Sequence, residues 1–279
     1  SKLYMRKNII AITGATGVLG TFFIKKYRNY KYDIFKGDIT NYSEVKNWID
    51  STSANCILHF AAKVPTRYVN KNYATSLKVN YFGTKNLVKS VLSSKKFFWL
   101  FFSSTSHVYK SREKPLKETD ILRPISLYGK TKLKAEKYLL KTMSEKRIKI
   151  CIGRIFSLTD KRQSLYYLVP TLLKKIKNCK KTLKISNLNH DRDFIHADDL
   201  CKAINILKNK RSEGIFNIGS GKVTKLIDIL KLINKKNKKI LHDKNQIKTS
   251  LIANISKIKK VGFNPRYGIK KIVKDLQYK

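Results

Sequence analysis

Acidic residues are scarce in this chain. Its 279 residues hold 18 Asp and Glu against 61 Lys and Arg, a formal charge of +43. A polyanion such as nucleic acid would be one reason for that balance. Only 11 of the 61 basic residues are Arg, however, and nucleic-acid readers lean on Arg for bidentate contacts. The lysines are spread along the chain, and the densest run, Lys231 to Lys239, falls at an expected helix end. With Asn and Ile also abundant, the excess reads as drift toward AT-rich codons, and a nucleic-acid partner is not expected. Cysteine is equally thin. Cys56, Cys151, Cys179 and Cys201 lie far apart and form no C-x-x-C. That argues against a zinc site, a metal cluster or a disulfide framework and fits a reducing cytoplasm. No apolar run approaches the roughly 20 residues of a membrane span, so no membrane partner is expected. No secretory leader is expected either. Ser1-Lys2-Leu3-Tyr4 reads as a remnant ahead of a native start at Met5. Gly/Ser-rich linkers and internal repeats are absent.

What is present is an alternation. Strand-like runs fall at Asn8–Thr13, Asp33–Lys36, Cys56–Phe60, Phe97–Phe102 and Ile148–Ile152. Helix-like stretches fall between and after them, at Val18–Asn29, Ser43–Asp50, Ala74–Leu92 and Tyr128–Met143. The strands are continuously apolar, which marks burial on both faces and hence a parallel, doubly wound sheet. Beyond Phe156 the regularity breaks. Helices are expected at Tyr166–Lys177 and Ala197–Leu207, strands at Thr182–Ser186 and Ile215–Ile218, and a helix follows Thr224. A second lobe would therefore be built from excursions of one domain. The boundaries expected are 5–158 with 192–219 for the dinucleotide-binding domain, and 159–191 with 220–279 for a substrate lobe.

Two segments carry chemistry. Gly14, Gly17 and Gly20 sit at the first strand-to-helix turn. Small residues there let the backbone approach a pyrophosphate, and a helix beginning near Val18 offers free N–H groups and a favourable dipole. Later, Phe102-Ser103-Ser104-Thr105 precedes Tyr128-Gly129-Lys130-Thr131-Lys132. A hydroxyl, a phenol and an ammonium suit the joint transfer of a hydride and a proton. Tyr and Lys four apart share a helix face, where the ammonium is expected to lower the phenol pKa. The pair alone selects nothing, because Tyr27, Tyr32, Tyr42, Tyr81, Tyr128 and Tyr267 all have Lys four residues on.

In their order these pieces resemble the extended short-chain dehydrogenase/reductase family of nucleotide-sugar epimerases, dehydratases and ketoreductases. The resemblance spans nearly the whole chain. It includes Thr13–Gly20, Gly37–Thr40, His59–Ala62, Asn80–Thr84, Phe102–Tyr109, Tyr128–Lys132, Arg192–Asp199 and Phe216–Gly219. It implies a Rossmann-type sheet with a small, mostly C-terminal substrate lobe, and an NAD or NADP cofactor. The spacing from the Ser103–Thr105 strand end selects Tyr128, with Lys132 and Thr105 as its catalytic partners; Ser104 and Ser106 are rivals for the hydroxyl role. Implied cofactor contacts are Gly14, Thr16, Gly17, Val18, Leu19, Gly20, Asp38, Ile39, Phe60, Ala61, Ala62, Asn80, Ser103, Tyr128, Lys132, Ile155 and Phe156. Implied substrate contacts are Lys63, Val64, Thr105, Ser106, His107, Ser157 and Arg192.

The chain also departs from the family. One strand and its connection are missing between the first helix and His59. Asp38 suits both the adenine position and the ribose position, and Lys36 beside it opposes an acid's preference for NAD, so the cofactor choice stays open. Leu127 replaces a usual Pro before Tyr128. Ser106-His107 replace the Asp-Glu of dehydratases, which argues against that activity. Ser157 and Thr159-Asp160 replace an Asn and a Gly-Pro pair. Arg154 reads as structural, and Asp198 and Asp199 as organisers of the next helix. Arg192 reads as a contact to the substrate diphosphate, or else as an ion pair with Asp191 or Asp193. The expected function is reduction of a 4-keto-6-deoxyhexose linked to a nucleotide, with a retained-NAD 4-epimerase and a non-catalytic nucleic-acid or anion binder as alternatives. The helices Ala74–Leu92 and Tyr128–Met143 resemble those that form a four-helix dimer interface in the family, so a homodimer is expected.

Overall fold

A computed structural model describes residues 9–277, apart from 166, 180, 186, 187 and 243–247. Met5, the first residue of the expected Asn8 strand, Tyr166 and Ser186 lie outside the described residues. In chain order the first half comprises β1 (Ile9–Thr13), α1 (Val18–Lys26), β2 (Lys31–Ile34), α2 (Tyr42–Ser51) and β3 (Cys56–His59), then α3 (Thr66–Lys71), α4 (Tyr73–Leu77), α5 (Thr84–Ser93), β4 (Phe98–Thr105) and α6 (Leu127–Lys141). The second half comprises β5 (Ile148–Ile155), β6 (Ser157–Leu158), α7 (Leu168–Asn178), β7 (Thr182–Ile185), β8 (His190–Arg192), β9 (Phe194–Ile195), α8 (Ala197–Asn209) and β10 (Gly214–Ile218). It closes with β11 (Thr224–Lys225), α9 (Leu226–Ile233), β12 (Lys239–His242), β13 (Thr249–Leu251), α10 (Ser256–Lys260) and α11 (Ile269–Gln277).

The central sheet has six strands in the order β10-β5-β4-β3-β1-β2, all pairs parallel. All eight residues of β4 are buried. Alternate side chains feed opposite faces, as the pleat requires. Trp99 and Phe101 join a core with Phe23 of α1 and Leu200, Ile204 and Leu207 of α8. Leu100 and Phe102 join a second core with Val45 and Ile49 of α2, Val88 and Val91 of α5, and Leu139 of α6. A third apolar cluster gathers Val169 and Leu172 of α7, Ile229 and Leu230 of α9, and Ile272 and Val273 of α11. Among the described residues no helix is long and apolar enough to cross a membrane.

The missing strand is visible: β2 pairs directly with β1, from Ile9 opposite Lys31 to Ile12 opposite Ile34, and is the edge of the sheet. At the other edge, β10, Lys257 Nζ donates to Ile215 O at 2.7 Å and Glu118 Oε1 accepts from Asn217 N at 2.9 Å.

Several expected elements change. The expected helix Ala74–Leu92 is interrupted by a π-helical turn, Lys78–Gly83, between α4 and α5. The cause is Asn80, which is buried at the turn's centre with its amide committed to tertiary bonds. Strands β4 and β5 run on to Thr105 and Ile155, delivering these residues to one end of the sheet. Helix α3 was not expected. Helix α2 begins as its sequence suggests: Asn41 accepts from Ser43 N at 3.1 Å, while Glu44 Oε1 accepts from the Asn41 amide at 2.9 Å.

Candidate active site

The first turn is built by glycine geometry. Gly14 has φ +72°, and a Cβ there would sit 2.5 Å from Ala61 N. Gly17 N donates to Gly14 O at 3.1 Å, closing the turn. Gly17 is also the N-cap of α1, where it supplies no side-chain acceptor, and the first turn holds no acid. The amide donors at this helix end are thus left for an anion, and the pyrophosphate of a dinucleotide fits them. Behind the turn runs a buried relay. Thr84 Oγ1 donates to Asn80 O at 2.8 Å, so it accepts from His59 Nε2 at 2.9 Å. His59 Nδ1 then accepts from Thr13 Oγ1 at 2.6 Å, and Thr13 Oγ1 accepts from Ala61 N at 3.2 Å. Burial pushes His59 down to about 3, which keeps it neutral. Asn80 completes the frame by holding Lys63 N (2.7 Å) and Lys63 O (3.1 Å) and donating to Thr131 Oγ1 (3.0 Å).

A cavity of about 580 Å³ opens at the C-terminal ends of these strands, a size that suits a small-molecule site. Gly14, Gly17, Val18, Leu19 and Gly20 line one wall; Phe60, Ala62, Ser103, Tyr128, Lys132, Ile155 and Phe156 form the centre. Thr105, Ser106, His107, Ser157, Arg192 and Val64 line the remainder of the expected set. Thr16, Asp38, Ile39, Ala61, Lys63 and Asn80 do not line it. Asp38 is exposed past the end of β2, and its Oδ1 accepts from both Thr40 N and Thr40 Oγ1 at 2.8 Å. Those two bonds hold its pKa down.

Tyr128 lies in the first turn of α6, which Ser126 caps by accepting from Gly129 N at 3.0 Å. It lines the cavity together with Thr105. Burial raises the phenol above its ordinary range, the neighbouring Tyr167 adds to the rise, and the Thr105 hydroxyl opposes it. Lys132 is 1% exposed, and its Nζ stands 4.2 Å from the Phe102 ring centre. Burial pushes the amine down to about 7, against the pull of Glu136. The expected depression of the phenol by an ammonium is therefore not what this structure shows: burial dominates at both groups. The buried lysine makes a prediction. Between about pH 7 and 10.5 the unfolded chain binds a proton that the folded chain does not, so stability rises with pH there and is lowest below about pH 7. Lys132→Met is expected to raise the Tm most at about pH 6 and progressively less toward about pH 10. Thermal scans of the two proteins across that range check this; a lower Tm for the variant at about pH 6 contradicts it.

A family model described as GDP-mannose 4,6 dehydratase matches residues 23–276. The chain belongs to the extended short-chain dehydrogenase/reductase family. Members of this family are NAD-dependent enzymes that act on nucleotide sugars. A GDP-6-deoxy-D-talose 4-dehydrogenase of Aggregatibacter actinomycetemcomitans is 30% identical over 76% of this chain and 74% of its own length. A dTDP-4-dehydro-6-deoxyglucose reductase of Escherichia coli is 26% identical over 98% and 99% of the two chains. The solved structure of RMD from Pseudomonas aeruginosa complexed with NADPH superposes with a TM-score of 0.86 at 17% identity, covering 97% and 96%.

Within this family frame, the rival hydroxyls separate. Ser104 Oγ donates to the Glu136 carboxylate, which is held by Arg154 through Nη2–Oε2 at 2.8 Å and Nε at 3.2 Å to each oxygen. Arg154 Nη1 donates to Tyr109 OH and to Glu118 O, each at 2.9 Å. Arg154 is thus structural, as its sequence context suggests, and Ser104 is committed to Glu136. Thr105 Oγ1 accepts from His107 N at 3.2 Å and lines the cavity with Tyr128. His107 stacks edge-on to Tyr128 with ring centres 5.9 Å apart, and burial with the Arg192 charge pushes it down to about 4, so it is a neutral imidazole at pH 7.

Arg192 is not ion-paired through its guanidinium to Asp191 or Asp193. Its Nη1 donates to Asp191 O (2.8 Å) and Thr249 O (3.0 Å), and its Nη2 donates to Thr249 Oγ1 (2.9 Å). Asp193 instead accepts from Ser220 N, Ser220 Oγ and Gly221 N within 2.6 to 2.8 Å. Asp198 and Asp199 both stand in the first turn of α8, where acids suit the helix dipole, as expected. His196 is the cap, accepting from Asp198 N at 3.1 Å. Asp198 pairs with Lys26 (3.1 Å), and Asp199 accepts from Arg266 N (2.9 Å) and Tyr267 N (2.8 Å), fastening the C-terminal segment.

Sequence reasoning missed Arg67, Gln163, Tyr167 and His190, all of which line the cavity. Arg67 comes from α3, and Gln163 and Tyr167 from the segment between β6 and α7. No periodicity marks the segment that carries Gln163 and Tyr167, and only the tertiary fold turns all four residues toward the cavity.

Proposed function

We propose that this chain reduces the keto group of a nucleotide-linked 4-keto-6-deoxyhexose, with NAD or NADP as cofactor. The observation that carries the reading is that the Thr105 hydroxyl and the Tyr128 phenol belong to one cavity whose described lining residues include no Asp or Glu. A dehydratase must remove and return protons while eliminating water, and such work calls for a carboxylate pair. A ketoreductase needs one proton donor, and Tyr128 is one. The reduced nicotinamide supplies the hydride when bound. Thr105 holds the carbonyl oxygen and aligns it with Tyr128, whose phenol stays protonated through neutral pH and gives its proton to that oxygen as negative charge develops. Lys132 lies one turn along α6 on the same face. Ile155, Phe156 and Phe60 keep that region apolar. Arg192, a fixed cation in the wall, suits the substrate diphosphate.

The names of the two curated relatives, a 4-dehydrogenase and a reductase of nucleotide-linked 6-deoxysugars, support this substrate class. A homodimer through α5, α6 and the π turn belongs to the same proposal; Phe82 and Leu140 expose apolar side chains there, at 46% and 37%. The test is nicotinamide absorbance with NADH and with NADPH against GDP-, UDP- and dTDP-linked 4-keto-6-deoxyhexoses. Stoichiometric loss of reduced cofactor supports the reductase. A sugar isomer formed without net loss overturns it in favour of a 4-epimerase.

A further inference from the structure

The cavity is one-sided in charge. Its described lining residues include Arg67, Lys132 and Arg192 and no acid. His107 and His190 also line it, and burial with the Arg192 charge pushes both imidazoles down. Burial drives the Lys132 amine down to about 7. The fixed positive charge of the wall is therefore carried by the two guanidiniums.

They are not equally free. Arg192 spends both Nη1 protons on Asp191 O and Thr249 O and one Nη2 proton on Thr249 Oγ1, which ties β8 to β13. The Arg67 guanidinium has no hydrogen bond, ion pair or ring contact among the described residues. Arg67 is also exposed, so a ligand entering the cavity can reach it. Its backbone is held in place. Arg67 stands in the first turn of α3, and Val69 of the same helix is 0% exposed. Two residues are about 200° of helical turn, so Arg67 leaves on the face away from that buried root. Just upstream, Asn80 holds Lys63 N at 2.7 Å and Lys63 O at 3.1 Å. Helix α3 packs against α6, which carries Tyr128 and Lys132.

An unpaired guanidinium in a wall without acids suits an anion, above all one with paired oxygens. The pyrophosphate of a dinucleotide already has the amide donors at the Gly17 end of α1. The second ligand of the reaction brings a diphosphate of its own, and Arg192 has only part of its donor set left for it.

We propose that Arg67 is a binding cation for the diphosphate of the nucleotide-linked substrate. The inference rests on the oxidoreductase reading and adds a residue to it. Arg192 is the cation built into the wall, and Arg67 is the one whose donors are all available to the phosphate oxygens.

The experiment compares wild type with Arg67→Gln and Lys202→Gln. The second variant removes the same charge from α8, at an exposed residue that does not line the cavity. It measures what the general positive field of the chain contributes. Dissociation constants for NADH and NADPH are measured by fluorescence titration. Those for GDP, UDP and dTDP are measured by calorimetry on protein saturated with the dinucleotide it binds more tightly. Arg67→Gln is expected to weaken the nucleoside diphosphates by about tenfold, and by a similar factor for each base, because the contact is to phosphate. Its dinucleotide binding, and all binding by Lys202→Gln, is expected to change by no more than about twofold. The Tm of Arg67→Gln is expected to match that of wild type, because the guanidinium makes no bond in the folded chain. Unchanged diphosphate binding overturns the assignment. Equal losses in the two variants, a loss confined to the dinucleotides, or a Tm loss that tracks the weakened binding does the same. So does a wild type that binds a dinucleotide but none of the three diphosphates. Failure of wild type to bind either dinucleotide would instead overturn the oxidoreductase reading itself.

Discussion

Tyr128→Phe is expected to lower kcat by between a hundredfold and about ten-thousandfold, the range of a lost general acid, while leaving the Kd for NADH and NADPH within about twofold. The ring stays, so the T-shaped contact with His107 and the apolar filling of the site persist. Only the phenolic hydroxyl goes, and with it the proton donor. Because burial holds the phenol protonated, the wild-type reduction rate is expected to stay flat through neutral pH and to fall only on the alkaline side. Single-turnover kinetics with the accepted keto sugar, across a pH series, separate the chemical step from release. A variant that retains more than about a tenth of the wild-type rate constant would falsify the role given to Tyr128.

The second large effect concerns stability. Glu136 and Arg154 have side chains 0% and 1% exposed and form a bidentate pair between α6 and β5. Glu136→Leu leaves a buried guanidinium unpaired, and Arg154→Met leaves a buried carboxylate unpaired. Each single variant is expected to lose about 3–5 kcal/mol. The double variant replaces both charges by apolar groups and is expected to recover most of that loss. Urea unfolding of the four proteins closes the cycle. Additive losses in the double variant, with no recovery, contradict the pairing. The same carboxylate fixes Ser104, one residue before Thr105, so the single variants are also expected to slow turnover in the fraction that remains folded.

The sheet was legible because parallel strands are buried on both faces and their apolar runs are unbroken. Phe98–Phe102 needs no partner to identify it. What sequence could not show is where β4 and β5 stop, since Ser103, Ser104 and Thr105 extend the strand only by pairing with Gly153, Arg154 and Ile155. The π turn was illegible for a related reason: Lys78–Gly83 has a helical pattern, and only the bonds from Asn80 to Lys63 and Thr131 widen it. Six tyrosines carry a lysine four residues on, and that pair alone could not choose among them; the distance from the Ser103–Thr105 strand end singled out Tyr128. The fold brings Tyr128 and Lys132 into one cavity with Ser103 and Thr105.

The shortened sheet also changes what the molecule must guard against. An outermost strand offers its unpaired N–H and C=O groups to any extended segment that meets it, including the same strand of another copy. At β10 two side chains already occupy such groups, Lys257 on a carbonyl and Glu118 on an amide. At β2 the protection is brevity and like charge. The strand is four residues long, with Lys31 at one end and Lys36 just beyond the other. Two copies aligning there would bring ammonium groups together, which opposes zipping into a continuous ribbon. Part of the lysine excess, for which the cavity has no use, thus discourages aggregation at an edge that a longer relative would have covered with one more strand.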